Sequence, residues 1–216
     1  MDNVIFTSVE ETWDIPAAES IRKIDYSTWT AHDALDRVVA DNQKAGAPKD
    51  NRYVGLFYFL CWVGAGVHVQ DNTKLYLEMG ARDTVKYIED HGGEAYWAEP
   101  YFGYYRNTDT WVYRKHAYML DAAGVDFIFL DVSNNRFYAE QCKVLFDTWK
   151  AIRDEGGQTP QIAFMYGDMP FTLLNGLYTL LEPFYNNPDY EDLLFKWEGK
   201  PLVLGNKDTP DERSWT

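Results

Sequence analysis

Five short apolar runs recur along this chain. The first, 53–60, is a continuous apolar and aromatic stretch without a helical period, which is typical of a strand covered on both faces. The run at 125–131 gives the clearest strand pattern, because it is apolar between two aspartates and a polar loop follows it. Similar runs lie at 102–105, 161–166 and 201–204. Together they predict five β-strands.

Helical patterns and helix-stop residues separate these runs. The most distinct helix follows Thr108 or Asp109, either of which can act as an N-cap, and ends at Gly124. One face of this helix is expected to carry Val112, His116, Met119, Leu120 and Ala123. Further helices are predicted over 33–42, 82–90, 137–154 and 170–181.

The alternation of strand and helix is typical of a parallel sheet with covering helices. Five strands fit either an open doubly wound sheet or an incomplete eight-stranded barrel. The first strand is not followed by a Gly-rich phosphate loop, and polar or aromatic residues crowd several strand ends, which favours the barrel. We therefore predict an α/β fold of the parallel (β/α) TIM-barrel type. Because a complete barrel usually has about 250 residues, we expect about five of its eight strands. Residues 1–50 would form an N-terminal lead-in segment and 51–216 a partial barrel domain.

The apolar run at 125–130 lies between a helix stop and a polar turn. A strand in such a position is expected to be almost wholly buried in a parallel sheet, and this includes the rings of Phe127 and Phe129. We also expect the sheet to have open edges, since an incomplete barrel does not close on itself.

Substrates of (β/α) barrels lie over the C-terminal ends of the strands, so the residues just after each apolar run are the candidates for function. The substrate-binding candidates are Trp62, Tyr104, Tyr105, Asn134, Tyr166 and Asp168. Each also has a purely structural interpretation, as a core, strand or turn residue.

Asp131 is the strongest single candidate and the proposed catalytic residue. A carboxylate that ends an apolar strand is costly to desolvate unless it is paired or used in function. Its alternative role is to cap the loop that follows through nearby backbone N–H groups. Because parallel strands direct their C-terminal ends to one side, we expect a single cavity at this edge. It would be lined by Asp131, Tyr104, Trp62 and Tyr166.

Other reactive residues indicate no further chemistry. His116 lies on the apolar face of its helix, away from any strand end, which favours a hydrogen-bonded core histidine over a catalyst. Cys61 and Cys142 lack metal-ligand spacing and are interpreted as buried free thiols. No His/Asp/Glu group has metal-ligand spacing, and the sequence contains no Gly-x-Ser-x-Gly elbow or phosphate loop. We therefore predict no metal and no other cofactor.

Composition narrows the range of partners. The formal charge of −14, from 20 Lys plus Arg against 34 Asp plus Glu, repels a phosphate backbone and argues against nucleic acid. Aromatic residues make up 17% of the chain, including 8 Trp and 16 Tyr, and such rings stack on the C–H faces of sugars. A barrel core rich in aromatic residues explains the same composition equally well.

The sequence also bears on localisation. No stretch reaches the roughly 18 consecutive apolar residues of a membrane span. The first six residues, Met-Asp-Asn-Val-Ile-Phe, lack a basic region leading into an apolar one. We expect no membrane span, and a protein that is cytoplasmic, or secreted or periplasmic if a signal peptide has been removed.

One part of the chain resembles a known family. Residues 97–117 and 122–131 have the order Gly-Tyr-Tyr, acidic residue, helix with a basic–His pair, Ala-Gly-Val-Asp, strand. This order resembles the segment that joins the second and third strands in barrels of glycoside hydrolase families 99 and 71. The resemblance is tightest over 97–135 and looser over 53–62 and 161–205.

The resemblance implies a glycoside hydrolase that acts on α-linked polysaccharides or glycans, of the α-mannan or α-glucan class. In family 99, one carboxylate assists attack by the sugar's own 2-hydroxyl and a second protonates the leaving oxygen. Both come from later strands, and no pair in this chain matches their motif. The resemblance therefore transfers only the cleft positions Tyr104, Tyr105 and Asp131.

Two other functions stay open. One is a non-catalytic carbohydrate-binding or structural barrel module, which would share the aromatic cleft but lack the acid/base pair. The other is a glycosyltransferase-associated protein of related fold, which would require a nucleotide-sugar site that we do not find in the sequence. Carboxylates at later strand ends would favour the enzyme over the module.

Overall fold

A four-stranded parallel sheet is the central feature of the computed structural model, which describes residues 29–47, 49–60, 70–91, 95–96, 100–103, 105–132, 137–166 and 181–205. The strands are β1 (Gly55–Tyr58), β2 (Gln70–Asp71), β3 (Ala95–Tyr96), β4 (Phe127–Asp131), β5 (Gln161–Met165), β6 (Lys196–Trp197), β7 (Lys200–Pro201) and β8 (Val203–Leu204). The α-helices are α1 (Asn42–Ala45), α2 (Asn72–Met79), α3 (Ala81–His91), α4 (Thr110–Ala122) and α5 (Ala139–Asp154). A 3-10 helix spans Pro188–Leu193, and residues 181–185 are also helical.

The main sheet has the strand order β1-β4-β5-β8, and each neighbouring pair is parallel. Phe57 pairs with Phe129, which in turn pairs with Ala163. Asp131, at the end of β4, pairs with Met165 at the end of β5. The C-terminal ends of these strands therefore lie along one edge of the sheet. The short strands β2 and β3 form a separate parallel pair, and β6 and β7 an antiparallel one.

Most of the predicted elements are confirmed. The runs at 53–60, 125–131 and 161–166 contain β1, β4 and β5, and the helices predicted over 82–90 and 137–154 correspond to α3 and α5. These segments carry strong local signals, namely apolar runs for the strands and helical spacing with stop residues for the helices.

The fifth predicted strand is confirmed in part. Within 201–204, Val203 and Leu204 form β8 and pair with β5, whereas Pro201 belongs to β7 and pairs antiparallel with Lys196. The helix predicted over 170–181 lies outside the described residues, except for its last position.

Helix α4 begins at one of the predicted caps but buries a different face from the one predicted. Asp109 is the N-cap, and its side chain accepts a hydrogen bond from the Trp111 N–H at 2.9 Å. The buried residues are Val112, Tyr113 and Ala117. Met119 and Ala123 are exposed, so the predicted face is wrong at these two positions. Because α4 packs against α5, its buried stripe is turned towards that helix.

The helix predicted over 33–42 is wrong. Asp33 Oδ1 accepts hydrogen bonds from the backbone N–H groups of Leu35 and Arg37, at 2.8 and 3.0 Å, and the segment closes a tight antiparallel turn. The aspartate side chain thus occupies donors that a helix would have used.

The strand predicted over 102–105 is wrong at the positions described there. The chain turns at Phe102, where the Gly103 N–H donates to the Pro100 carbonyl oxygen at 2.9 Å, and Gly103 has a φ of 73°. A positive φ is outside the extended conformation of a strand and favours glycine. In the described sheet β1 is therefore the direct neighbour of β4.

The two faces of β4 differ in burial. Ile128 and Leu130 are fully buried, whereas Phe127 and Phe129 are only partly buried. The prediction that both phenylalanines are almost wholly buried is therefore wrong. Helices α4 and α5 pack on one face of the sheet, where their residues form a single apolar core with Ile128 and Leu130. The other face is covered only in part.

Cys142 on α5 belongs to this core, so its interpretation as a buried free thiol is confirmed. Burial raises the pKa of its thiol, because the thiolate would lose its hydration. Cys61 lies outside the described residues.

Within the described residues, β1 and β8 are the edges of the main sheet. The incomplete (β/α) barrel, its number of strands and the division into a lead-in segment and a barrel domain stay predictions. None of the helices described is long and apolar enough to cross a membrane.

Candidate functional site

The candidate site lies at the edge of the sheet where β1, β4 and β5 end. Asp131 is the last residue of β4 and is only 8% exposed. The next residue, Val132, donates its N–H to the Met165 carbonyl oxygen at 2.8 Å, so the backbone beside Asp131 is fixed by the neighbouring strand. The backbone at Asp131 is thus held by regular sheet structure.

Half-exposed phenylalanines lie on the same face as Asp131. Side chains alternate along a strand, which puts Phe129 and Asp131 on one face of β4 and Phe57 and Phe59 on the matching face of β1. The Phe57 ring is stacked on Phe59, with 6.4 Å between ring centroids, and meets Phe129 edge-on at 5.9 Å. We call Phe57, Phe59 and Phe129 the phenylalanine face. Phe57 and Phe59 are 48% and 47% exposed.

Tyr166 lies at the same edge but on the opposite face. It follows Met165 in β5, and its ring packs against the core between the sheet and the helices. The ring also lies over Gly205, where a Cβ atom would overlap it. Asp131 pairs with Met165, and Tyr166 is the next residue along the chain, so the side chains of Asp131 and Tyr166 point to opposite faces of the sheet. The two residues therefore do not share the expected cavity.

The remaining candidates divide between described and undescribed parts of the chain. Trp62, Tyr104, Asn134 and Asp168 lie outside the described residues, so their roles stay predictions. Tyr105 is described, and its ring contacts His116 on α4.

His116 forms a polar contact that the sequence indicated only in general terms. Its Nδ1 lies 2.8 Å from the Tyr58 hydroxyl oxygen, and the side chain is half-buried, which confirms a hydrogen-bonded histidine. The Tyr58 and Tyr105 rings both meet the imidazole edge-on, with 5.8 and 6.3 Å between centroids. Phe102 approaches the imidazole at 6.2 Å. Four aromatic rings therefore form one cluster.

Burial shifts both members of this hydrogen bond towards their neutral forms. Loss of hydration lowers the pKa of His116 below its ordinary value and raises the pKa of Tyr58. With both groups neutral, either the Tyr58 hydroxyl donates to Nδ1 or a protonated Nδ1 donates to the tyrosine oxygen. The arrangement suits a structural hydrogen bond.

Two further hydrogen bonds attach the segment before α4, one to the end of β1 and one to α4 itself. Asn107 Nδ2 donates to the Leu60 carbonyl oxygen at 3.2 Å. The Tyr113 hydroxyl donates to the Asn107 carbonyl oxygen. The residues before α4 are therefore tied to both β1 and α4.

No group of three or more His, Cys, Asp or Glu residues is positioned to hold a metal ion in the part of the chain that is described. The site chemistry available there consists of one buried carboxylate and several aromatic rings. Sequence reasoning missed Phe57, Phe59 and Tyr58 as individual residues. Alternation within 53–60 could have separated Phe57 and Phe59 from Tyr58, since they fall on opposite faces.

Comparisons with known proteins give limited similarity. No protein-family model matches this chain, and no curated protein matches it. One similar solved structure is a family GH99 endo-alpha-mannosidase from Bacteroides thetaiotaomicron, in complex with bis-tris propane. The similarity has a TM-score of 0.46 and 13% sequence identity, and it covers 72% of this chain and 42% of that one. This chain thus spans less than half the length of that enzyme.

Proposed function

We propose that this chain contributes the sugar-binding edge of a glycoside hydrolase that acts on an α-linked polysaccharide or glycan. The observation that carries the proposal is that a nearly buried carboxylate, Asp131, lies on the same face of the sheet as the half-exposed rings of Phe57 and Phe59. The sugar class comes from the resemblance to families 99 and 71.

The chemistry of this edge suits a carbohydrate. Aromatic rings stack on the apolar C–H faces of sugar rings, while a carboxylate accepts hydrogen bonds from sugar hydroxyls. The phenylalanine face supplies exposed rings, and Asp131 supplies the acceptor at the strand end. A sugar that covers Phe57 and Phe59 would also shield Asp131 from water and strengthen its hydrogen bonds.

Hydrolysis requires a second carboxyl group, at about 5–5.5 Å for a covalent retaining reaction or about 6.5–9.5 Å for inversion. The positions beside Asp131 in the described sheet are Phe59, in the continued register of β1, and Met165. The second carboxyl group would therefore come from outside this row. In the proposed enzyme Asp131 either transfers a proton or orients the sugar for another acid.

Among the described residues this row holds no second carboxylate, which favours one alternative, a non-catalytic carbohydrate-binding module. Such a module would use the same phenylalanine face and the same Asp131 hydrogen bonds. It differs from the enzyme in a single measurable respect, because it binds the sugar without cleaving it.

Hydrolysis and binding measured on the same oligosaccharides test both functions. The full-length protein would be incubated with α-mannan, α-glucan and N-glycan oligosaccharides, with product release and calorimetric binding followed in parallel. Asp131→Asn keeps the shape of the side chain and removes its charge. We expect turnover to fall by about 100-fold or more if Asp131 transfers a proton.

Asp126→Asn is the matched control. Asp126 comes just before the same strand, at the end of the sheet where the strands begin. Its Oδ2 accepts a hydrogen bond from the Val54 N–H at 2.7 Å, and the amide oxygen of an asparagine can still accept this bond. Turnover that falls only in Asp131→Asn supports the enzyme. Binding without cleavage in the parent supports the module, and the absence of both contradicts the proposed sugar site.

A further inference from the structure

The hairpin formed by β6 and β7 carries an exposed tryptophan, Trp197. Glu198 and Gly199 form the two-residue turn of this hairpin, with φ values of 50° and 81°, and positive φ values at both positions are what a tight hairpin turn requires. At the base of the hairpin, the Phe195 N–H donates to the Ile162 carbonyl oxygen of β5 at 2.9 Å. Trp197 therefore lies on a short hairpin that is attached to the main sheet.

The rings of Trp197 and Tyr53 form a pair that is supported from behind. Their centroids are 6.0 Å apart and their planes are inclined by 65°. Tyr53 also meets Phe195 edge-on at 5.1 Å, and Phe195 is only 3% exposed because it stacks on Phe127. Trp197 and Tyr53 nevertheless remain 53% and 50% exposed. The pair is thus fixed by packing while about half of its surface is open to solvent.

A lysine lies next to this ring pair. Trp197 and Lys200 are direct partners in the antiparallel pairing of β6 and β7, so their side chains leave the hairpin on the same side. Lys200 is exposed, and its ammonium group carries three hydrogen-bond donors. We call Tyr53, Trp197 and Lys200 the hairpin surface. It combines apolar ring faces with donors for hydroxyl groups.

We propose that the hairpin surface is a second carbohydrate-binding site, which contacts a sugar unit of the polysaccharide away from Asp131. The class of sugar rests on the proposed function. Trp and Tyr rings pack on the apolar C–H faces of a sugar, while the indole N–H, the phenol hydroxyl and the lysine ammonium bond to its hydroxyls.

The exposed area favours a sugar over a protein partner. A fully buried aromatic side chain covers about 150–250 Å², so two half-exposed rings together offer an area of about this size. Each partner in a stable protein interface buries about 800 Å². The two rings are therefore sufficient for a small ligand and too small for the centre of a protein interface.

The hairpin surface is separate from the site at Asp131. Tyr53 precedes Phe59 by six positions, which corresponds to about 20 Å along an extended strand. One sugar unit cannot contact both places, whereas a polysaccharide can occupy both and gain affinity from the second contact. The hairpin surface is therefore expected to strengthen the binding of long chains.

Affinity electrophoresis of the full chain in gels that contain α-mannan or α-glucan tests this site, because retardation of the protein measures the Kd for the polysaccharide. Trp197→Ala is expected to raise this Kd by about 2- to 10-fold, the effect of one lost aromatic contact, and Trp197→Phe is expected to raise it less. The melting temperature should stay close to that of the parent, since the Trp197 ring is half-exposed.

Trp111→Ala is the matched control. Trp111 is 51% exposed, but the Lys115 ammonium lies over its ring at 5.4 Å from the centroid, so its Kd should equal that of the parent. An unchanged Kd in Trp197→Ala, or an equal loss in Trp111→Ala, would overturn the second site. A change in sedimentation of Trp197→Ala without sugar would also overturn it and indicate a protein contact instead.

Phe59→Ala separates this site from the proposed function. If both sites bind sugar, Phe59→Ala and Trp197→Ala each weaken binding and the double variant binds more weakly than either. A loss in Trp197→Ala alone supports the hairpin surface and contradicts the sugar site at Asp131. A loss in Phe59→Ala alone supports the site at Asp131 and contradicts the hairpin surface. A parent that is retarded by neither polysaccharide contradicts both.

Discussion

Phe59 and Asp131 each lie one position beyond the paired residues Tyr58 and Leu130 of the neighbouring parallel strands β1 and β4. The Phe59 ring is half-exposed, whereas Asp131 is nearly buried. The Phe59 ring meets Tyr138 edge-on at 6.3 Å and stacks on Phe57 at 6.4 Å, and it is still 47% exposed. An apolar ring and a carboxylate thus lie side by side at the strand ends.

Phe59→Ala is expected to weaken sugar binding with little effect on folding. Removing an aromatic ring from a stacked contact costs about 0.5–1.5 kcal/mol beyond the buried area. Because the ring is half-exposed, the free energy of unfolding should change by less than about 1 kcal/mol. The control is Phe164→Ala, in the core, where loss of a fully buried ring costs about 3–5 kcal/mol of stability. Equal binding by Phe59→Ala and the parent would remove Phe59 from the site.

Gly55→Ala is expected to destabilise the protein by about 1–3 kcal/mol, measured by denaturant unfolding. A Cβ at Gly55 would overlap the Phe127 ring, which cannot move away freely because it stacks on Phe195 with 4.0 Å between centroids. Phe127→Leu removes the obstructing part of the ring. The double variant should therefore lose less than the sum of the two single losses. Simple additivity would show that the contact between the two residues is unimportant.

Protonation of His116 is expected to lower the stability of the folded protein as the pH falls. Its folded-state pKa is lowered by burial below the unfolded value near 6.5, so the unfolded state binds more protons in that range. The contribution is complete above about pH 6.5 and is lost as the pH falls towards the folded-state pKa. Tyr58, which is hydrogen-bonded to the imidazole, stays neutral there because burial raises its pKa. Unfolding at pH 7.5 and 5.5 should show a smaller loss for His116→Asn than for the parent, and an equal loss would contradict this origin.

Arg153→Lys is expected to lower stability by about 1–3 kcal/mol. The Arg153 guanidinium donates from Nε to Thr159 Oγ1 at 2.8 Å, and from its terminal nitrogens to the carbonyl oxygens of Thr159 and Asp192 at 2.8 and 2.9 Å. A lysine cannot reproduce these divergent bonds. Arg114→Lys, at an exposed ion pair with Glu155, should leave the melting temperature close to that of the parent. Similar melting temperatures for both variants would contradict the role given to Arg153.

The elements that could be predicted from sequence are those with strong local signals. Asp109 marks the start of α4 because an aspartate before a helix accepts N–H groups that would otherwise lack a partner, and the structure has this hydrogen bond. The helix predicted over 33–42 was wrong for a reason that involves the same chemistry, because the Asp33 side chain accepts the N–H groups of a turn instead of those of a helix. Local sequence does not distinguish a cap from a turn, because the same oxygen accepts in both.

The site was less predictable than the fold. In the run at 53–60 almost every residue is apolar, so no polar position marks the exposed face, and Phe57 was not distinguished from Leu60. The bond between Tyr58 and His116 joins residues 58 positions apart, and no periodicity in the sequence encodes that pairing. Asp131 could be proposed as a candidate because a charged residue ends an apolar strand, which is visible without knowledge of the neighbours.

The stack of Phe127 on Phe195 gives the two ends of the sheet different tolerance to mutation. At the end where the strands begin, Phe195 also meets Tyr53 edge-on at 5.1 Å, so three rings interlock and a change in any one of them disturbs the other two. At the end where the strands stop, Phe57 and Phe59 have open sides that a new side chain can occupy. Substitutions are therefore expected to be tolerated better at the second end, where they leave the interlocked rings in place.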